Sequence, residues 1–437
     1  MREALLWLIT ISLCLAGLLR PRLGLYGYVW FSIMKPDDWA YTASIHSMLI
    51  AGSTLAGSLR YSFSFPKLLR NPITLGLLLL LIPVTVSTFT AVDPALSYLP
   101  YRSYVQMMVM MLLIPVVLQT ESDLRTLLLV IGLSIGLIGL KFGLLGLLHG
   151  GARFSQGYGN GLLSDNNALA LGLAMGLPLC WFGRSMIENW WLRQLLLACA
   201  LGSMAAVIMT YSRGGMLCLA LNVLLLAYWS RHKVATVVVF AVLAAPVVYL
   251  LGNGYLDRMA TLKNPTADSS ANDRILAAKA AIQMWKDHPI TGVGFGGLNQ
   301  MALQHKYLDL DQPIVVHNTY IELLVGSGIF AMVIYLAVFG FSIYYLGATI
   351  RRRRRTNAQC TRFAMAMQAS LLIFCLGSYF LSRVTFDMFY MILAAAAVLL
   401  ELVRQKNESG GEEHAESESE EVEADASPVE AHKAAAY

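Results

Sequence analysis

The sequence predicts an all-α, polytopic membrane protein. Of its 437 residues 57% are hydrophobic and only 14% are charged, against about 25% charged in soluble proteins. The apolar residues form continuous blocks of roughly 16–25 residues, the length a helix needs to cross a bilayer. The blocks do not alternate apolar with polar residues, which excludes a transmembrane β-barrel. Length alone would suggest about three soluble domains. The blocks argue instead for one membrane domain over 1–406, followed by an acidic tail at 407–437.

In chain order the apolar runs predict helices over 4–19, 23–34, 42–58, 72–90, 104–119, 124–148, 166–183, 195–211, 214–230, 234–251, 317–348, 363–381 and 384–403. The first two are short and read either as separate spans or as one broken hairpin, so about 12 transmembrane helices are expected. The first run carries no small-residue cleavage site and reads as a retained span, not a signal peptide. Five of the six cysteines lie inside apolar runs and none forms a CxxC pair, the pattern of small packing residues rather than disulfides or metal ligands. The tail holds ten acidic residues against one lysine, a net charge of −9 that leaves +14 on the first 406 residues. It has almost no large apolar residues, so it is expected to be a disordered, solvated spacer without catalytic role.

Lysine and arginine set the orientation. With the C-terminus in the cytoplasm, eighteen of them fall on the cytoplasmic side, among them the Arg351 to Arg355 run, and six on the other. The long loop at about 252–316 then becomes periplasmic, together with Arg102, Arg153, Arg213 and Arg383. Cations kept on the disfavoured side are candidates for binding an anion; snorkelling to lipid head groups is the competing reading.

Four segments meet on that face: HGGARFSQGYGNGLLSDNNA at 149–168, TYSRGG at 210–215, the long loop, and VVHNTYIELLVGSG at 315–328. Within the loop, 273–289 reads as an amphipathic helix with Ile275, Ala278, Ile282 and Trp285 on one stripe. Asn272 or Asp273 would cap it and Pro289 stop it, with the stripe facing the membrane. Arg274 would sit in its first turn, against the helix dipole. GVGFGG matches G-x-G-x-x-G at Gly292, Gly294 and Gly297, but no strand precedes it, so a dinucleotide site is rejected. A turn that lets backbone approach a lipid or sugar, or a plain turn, remains. His317 lies at the membrane edge, where neutral imidazole could act as a general base; a structural histidine at a helix start is the alternative. Asp309 and Asp311 resemble an acidic metal pair but lack a third ligand, and a solvated turn is the preferred reading. No cofactor site, nucleophile elbow, P-loop or nucleic-acid surface is apparent.

TYSRGG, RILAAKAAIQMWKDHPITGVGFGG and HNTYIELLVGSGIF resemble the three signatures of the O-antigen ligase and O-antigen polymerase (Wzy_C-type) superfamily. The N-terminal portion is similar to that of O-glycosylation ligases found beside exosortase systems. The resemblance implies a GT-C-type inner-membrane enzyme moving a glycan from undecaprenyl pyrophosphate to an acceptor hydroxyl at the periplasmic face, inverting and without metal. Carried over by motif, His317 would be the general base, and Arg213 and Arg274 would neutralise the pyrophosphate. Arg153, Arg102, Arg383, Tyr211 and Asn318 are further substrate-binding candidates. A lipid A–core sugar is the leading acceptor; a growing polysaccharide or a protein hydroxyl are the alternatives within the enzyme class. A lipid-linked glycan transporter is the reading from another class, disfavoured because no repeated halves are visible.

Overall fold

The computed structural model describes residues 2–40, 45–149, 163–252, 255, 269–308 and 313–426. Among them the chain is helical and contains no β-strand: α1 (Arg2–Leu19), α2 (Pro21–Met34), α3 (Pro36–Ala40), α4 (His46–Ser58), α5 (Lys67–Arg70), α6 (Pro72–Phe89), α7 (Pro94–Val117), α8 (Glu121–Leu148) and α9 (Asn166–Gly183). There follow α10 (Trp190–Met209), α11 (Arg213–Trp229), α12 (Lys233–Leu251), α13 (Ser269–Asp287), α14 (Leu298–Leu303), α15 (Thr319–Arg353), α16 (Ala358–Gly377) and α17 (Asp387–Ala426). Nine helices among the described residues are long and apolar enough to cross a membrane: α1, α6, α7, α8, α9, α10, α12, α15 and α16. The protein is therefore a multi-pass membrane protein. Of the other expected spans, α2, α4 and α11 have 14, 13 and 17 residues.

The boundaries follow from capping. Asn71, Asp93, Asp165, Asn189, Ser212, Asn318 and Asn357 each accept a backbone N–H one or more residues into the helix they precede. These short polar side chains satisfy N–H groups that a helix start leaves open. Pro72 and Pro94 follow two of these caps, where the missing N–H costs nothing. Thr120 and Asp123 complete a capping box at the start of α8.

With lipid outside and no water to expel, close approach holds such helices together. On α8, Gly136 meets Cys199, Gly139 meets Ser203 and Gly143 meets the Gly202 carbonyl of α10. The apolar part of α17 is the central post, with every residue from Met388 to Leu399 buried. Asn71 secures it by donating to the Ala397 carbonyl at 3.0 Å. The helix continues to Ala426, into the acidic segment expected to be disordered; its alanines and glutamates are good helix formers.

Two features depart from the sequence reading. First, α15 is broken at Gly328 (φ 76°, ψ −177°). The GVGFGG segment lies in the gap: Val293 and Gly294 donate to the Val325 and Gly326 carbonyls at 2.9 and 3.0 Å, and Ile329 donates to the Pro289 carbonyl at 3.0 Å. Gly292, Gly294, Gly296 and Gly297 all have positive φ, which glycine alone adopts freely. The glycines thus bring backbone against the protein's own broken helix. Second, α13 starts at Ser269, so Arg274 lies in its second turn. It packs on the rest of the protein through Ala277, Ala280, Ala281 and Met284, with Trp285 against the same cluster, while Ile275 is 43% exposed. Small residues let α13 come close to α15, where Val325 joins the same cluster.

Candidate functional site

The starts of α9, α11 and α15 meet the end of α16. Tyr211 and His317 each have a left-handed backbone (φ 54° and 51°), which costs roughly 1–2 kcal/mol outside glycine. Each immediately precedes a capping residue, Ser212 or Asn318. Ser212 Oγ accepts from Gly215 N at 3.1 Å; Asn318 Oδ1 accepts from Tyr320 N and Ile321 N, both at 3.0 Å. The chain therefore turns sharply into two helices whose N-terminal ends carry partial positive charge.

Hydrogen bonds fix these starts to one another. Asn166 Nδ2 donates to the Thr210 carbonyl at 3.1 Å, joining α9 to the approach of α11. Thr319 N donates to the Ser378 carbonyl at 2.9 Å, Asn318 Nδ2 to the Tyr379 carbonyl at 3.2 Å, and Arg383 N to Thr319 Oγ1 at 2.9 Å. The Arg383 guanidinium is ion-paired with Asp165, the cap of α9. The segment around His317 is thereby held by α9, α15 and the turn after α16.

Arg213 and Arg274 line one small cavity, together with Asn167, Ser212, Gly214 and Phe380. Among the described residues, no acidic one lines it. His317 is half-buried. Burial, and after it the Arg274 guanidinium, hold its imidazole below the usual histidine value of 6.5; Asp165 opposes this and Arg383 adds to it. Arg274 therefore belongs both to the Arg213 cavity and to the surroundings of His317. Arg213, Arg274 and Arg383 outnumber the nearby carboxyl groups of Asp165 and Glu322, next to an imidazole that burial and Arg274 hold below 6.5.

The other predicted positions are distributed around this centre. Asn318 is the buried cap of α15 and Arg383 the ion-paired neighbour of His317. Tyr211 packs edge-to-face on Tyr255, with ring centroids 5.2 Å apart. Arg102 stands apart, in a larger cavity of about 800 Å³ lined also by Lys35, Asp37, Glu322 and Asp387. Arg153, Asp309 and Asp311 lie outside the described residues. Among those described, no group of three metal-ligating side chains is present. Asp165 was not singled out from the sequence, although an aspartate before Asn-Asn-Ala and a long apolar run is a helix-start signal.

Comparison with known proteins gives three matches. Residues 196–336 match the family model described as O-Antigen ligase, which contains Arg213, Arg274 and His317. Residues 1–175 match a family of unknown function. The chain is also 22% identical over 271 residues to the teichuronic acid biosynthesis protein TuaE of Bacillus subtilis (strain 168), an alignment covering 57% of this chain and 54% of that protein. The chain thus spans about half the length of this curated relative.

Proposed function

We propose, for a chain whose residues 196–336 match the O-antigen ligase family, that it is an O-antigen ligase/polymerase-like membrane glycosyltransferase of cell-surface polysaccharide biosynthesis. The donor is a glycan on a polyprenyl pyrophosphate, of the undecaprenyl type. The observation that carries this reading is Arg274, shared between the cavity it forms with Arg213 and the surroundings of His317. Lysine and arginine bias favours a cytoplasmic C-terminus and a periplasmic site.

In the reaction the acceptor hydroxyl oxygen bonds to the anomeric carbon while the carbon–oxygen bond to pyrophosphate breaks. The bonding electrons leave with the pyrophosphate, and the hydroxyl proton passes to the His317 imidazole. Charge grows on the leaving group, and Arg213 and Arg274 answer it with permanently charged, fork-shaped donors. Removing one such fixed partner costs about 3–4 kcal/mol of transition-state stabilisation. A positioned base contributes roughly 10²–10⁴-fold. Attack opposite the leaving group inverts the anomeric centre. A lipid A–core sugar is the preferred acceptor; similarity to a teichuronic acid biosynthesis protein is equally compatible with a growing polysaccharide.

The test is glycan transfer from a polyprenyl-pyrophosphate-linked donor by the purified full chain in nanodiscs. Arg213→Ala and Arg274→Ala should each lose about 10²–10³-fold in kcat, with binding of a neutral acceptor retained. Wild-type turnover in folded His317→Ala would remove the general base. Movement of lipid-linked glycan without covalent product would favour the transporter.

A further inference from the structure

The family match that carries the arginines begins at residue 196, and residues 1–175 match a family to which no function is attached. That N-terminal portion builds most of the walls of a second cavity, which its volume of about 800 Å³ makes large enough for a small-molecule ligand. The two compartments differ in chemistry. The Arg213 and Arg274 cavity has two guanidinium groups and, among the described residues, no carboxyl. The larger one has three carboxyl groups, Asp37, Glu322 and Asp387, with Lys35 and Arg102.

Asp37 is 3% exposed, yet its Oδ1 has no hydrogen-bond partner. Glu322 Oε2 is likewise buried without one. Unsatisfied buried acceptors are costly, and both line this cavity. Hydroxyl donors would satisfy them, whereas a phosphate, itself only an acceptor at full ionisation, would be repelled. The opposite end of the cavity is apolar: Met48, Gly52 and Leu55 of α4 face Val109 and Met110 of α7. Met48, Leu55 and Val109 are exposed, so this end leaves apolar surface uncovered that an acyl chain could cover. Arg102 and Val109 are seven residues apart on α7, about 10 Å along the axis, which sets the polar end above the apolar one. Glu322 stands five residues beyond His317, in the first turn of α15, the helix that His317 precedes.

The geometry points to a binding site for a neutral, hydroxyl-rich sugar carried on a lipid chain, with the sugar at Asp37 and Glu322 and the chain between α4 and α7. Its role as the acceptor site rests on the proposed transferase reading: the anionic donor head group belongs with the arginines, and the acceptor hydroxyl reaches His317 from the other side of the α15 start. The binding itself does not depend on that reading.

The experiment uses the full chain in nanodiscs with two photoreactive probes, a diazirine-bearing dodecyl maltoside and a diazirine-bearing dodecyl phosphate, and maps adducts by mass spectrometry. The maltoside should label residues 47–55 and 99–110. Asp37→Asn paired with Glu322→Gln should reduce that labelling roughly 10- to 100-fold, as expected for lost hydrogen bonds to charged groups. Gly52→Trp should abolish it: Gly52 lines the cavity and an added Cβ there meets nothing within 4 Å, so a larger side chain can begin there without a backbone clash, and an unchanged melting curve checks that the fold is kept. Arg213→Ala paired with Arg274→Ala should leave maltoside labelling intact. Equal labelling of these segments by the phosphate, maltoside labelling indifferent to Asp37 and Gly52 as for lipid at the outer surface, or no labelling at all would each overturn the site. Probe binding as described, without glycan transfer under any condition, would keep the site and remove the transferase reading; transfer unaffected by Gly52→Trp would do the reverse.

Discussion

Gly328→Ala tests how the broken helix holds the site. A Cβ at this position would lie 1.9 Å from the Ile290 carbonyl oxygen and 2.4 Å from its carbon. Both are backbone atoms, so the segment of chain before GVGFGG must retreat by about 1.5 Å to reach ordinary contact. The conformation at Gly328 (φ 76°, ψ −177°) is one that essentially only glycine occupies, and forcing alanine into it costs about 1–3 kcal/mol. The retreat also strains the Ile329–Pro289 and Val293–Val325 hydrogen bonds, worth about 1 kcal/mol each. The sum is roughly 3–5 kcal/mol, at the upper end for one substitution. Misplacing catalytic elements by about 1 Å can itself cost 10²-fold in rate, so transfer should fall by about that much. Gly340→Ala is the control: it lies in the same helix, and its added Cβ meets nothing within 4 Å. There alanine gains up to about 1 kcal/mol of helix propensity. The assay is thermal unfolding of the nanodisc-embedded protein by circular dichroism, beside glycan transfer. A melting point for Gly328→Ala equal to that of wild type, or equal damage from the two substitutions, would refute the argument that the break is obligatory.

Other expectations concern the site and the packing. Because the His317 imidazole is held below 6.5 by burial and Arg274, it is mostly unprotonated at pH 7, and the acid limb of kcat/KM should lie below pH 6.5. Arg274→Gln removes a lowering influence and should move that limb to higher pH, whereas Asp165→Asn removes a raising one and should move it to lower pH; a pH–rate profile unchanged in both variants would exclude His317 as the titrating base. Asn318→Ala removes the cap of α15 and its bond to Tyr379, lowering stability by about 1 kcal/mol, and Asn318→Asp should restore the cap but not the Tyr379 bond; melting curves of the two variants separate these. Gly202→Leu places a Cβ 2.6 Å from Leu140 Cα, and overpacking of this kind costs about 1–3 kcal/mol, read as a lower melting point that Gly52→Leu does not share.

The sequence alone determined that this chain is a bundle of membrane helices, because burial in lipid requires long uninterrupted apolar runs and capped ends, both local properties. It also singled out Arg213 as a permanent cation on the side that topology disfavours, Arg274 as a cation at a helix start, and His317 as the histidine at the membrane edge, all visible without a structure. Local pattern failed where partners come from far along the chain. The run through Gly328 reads as unbroken apolar helix, and only the approach of Ile290 and GVGFGG explains the break. On α13 the pattern proposed a stripe for the membrane but did not show that Ala277, Ala280, Ala281 and Met284 would pack with Val325 of α15. Asp37, Glu322 and Asp387 are up to 350 residues apart and share no motif, and Arg102 and Arg213, alike as outlying cations, lie in different compartments. Which charges become neighbours is set by how the helices pack, a non-local property that periodicity along one chain does not encode.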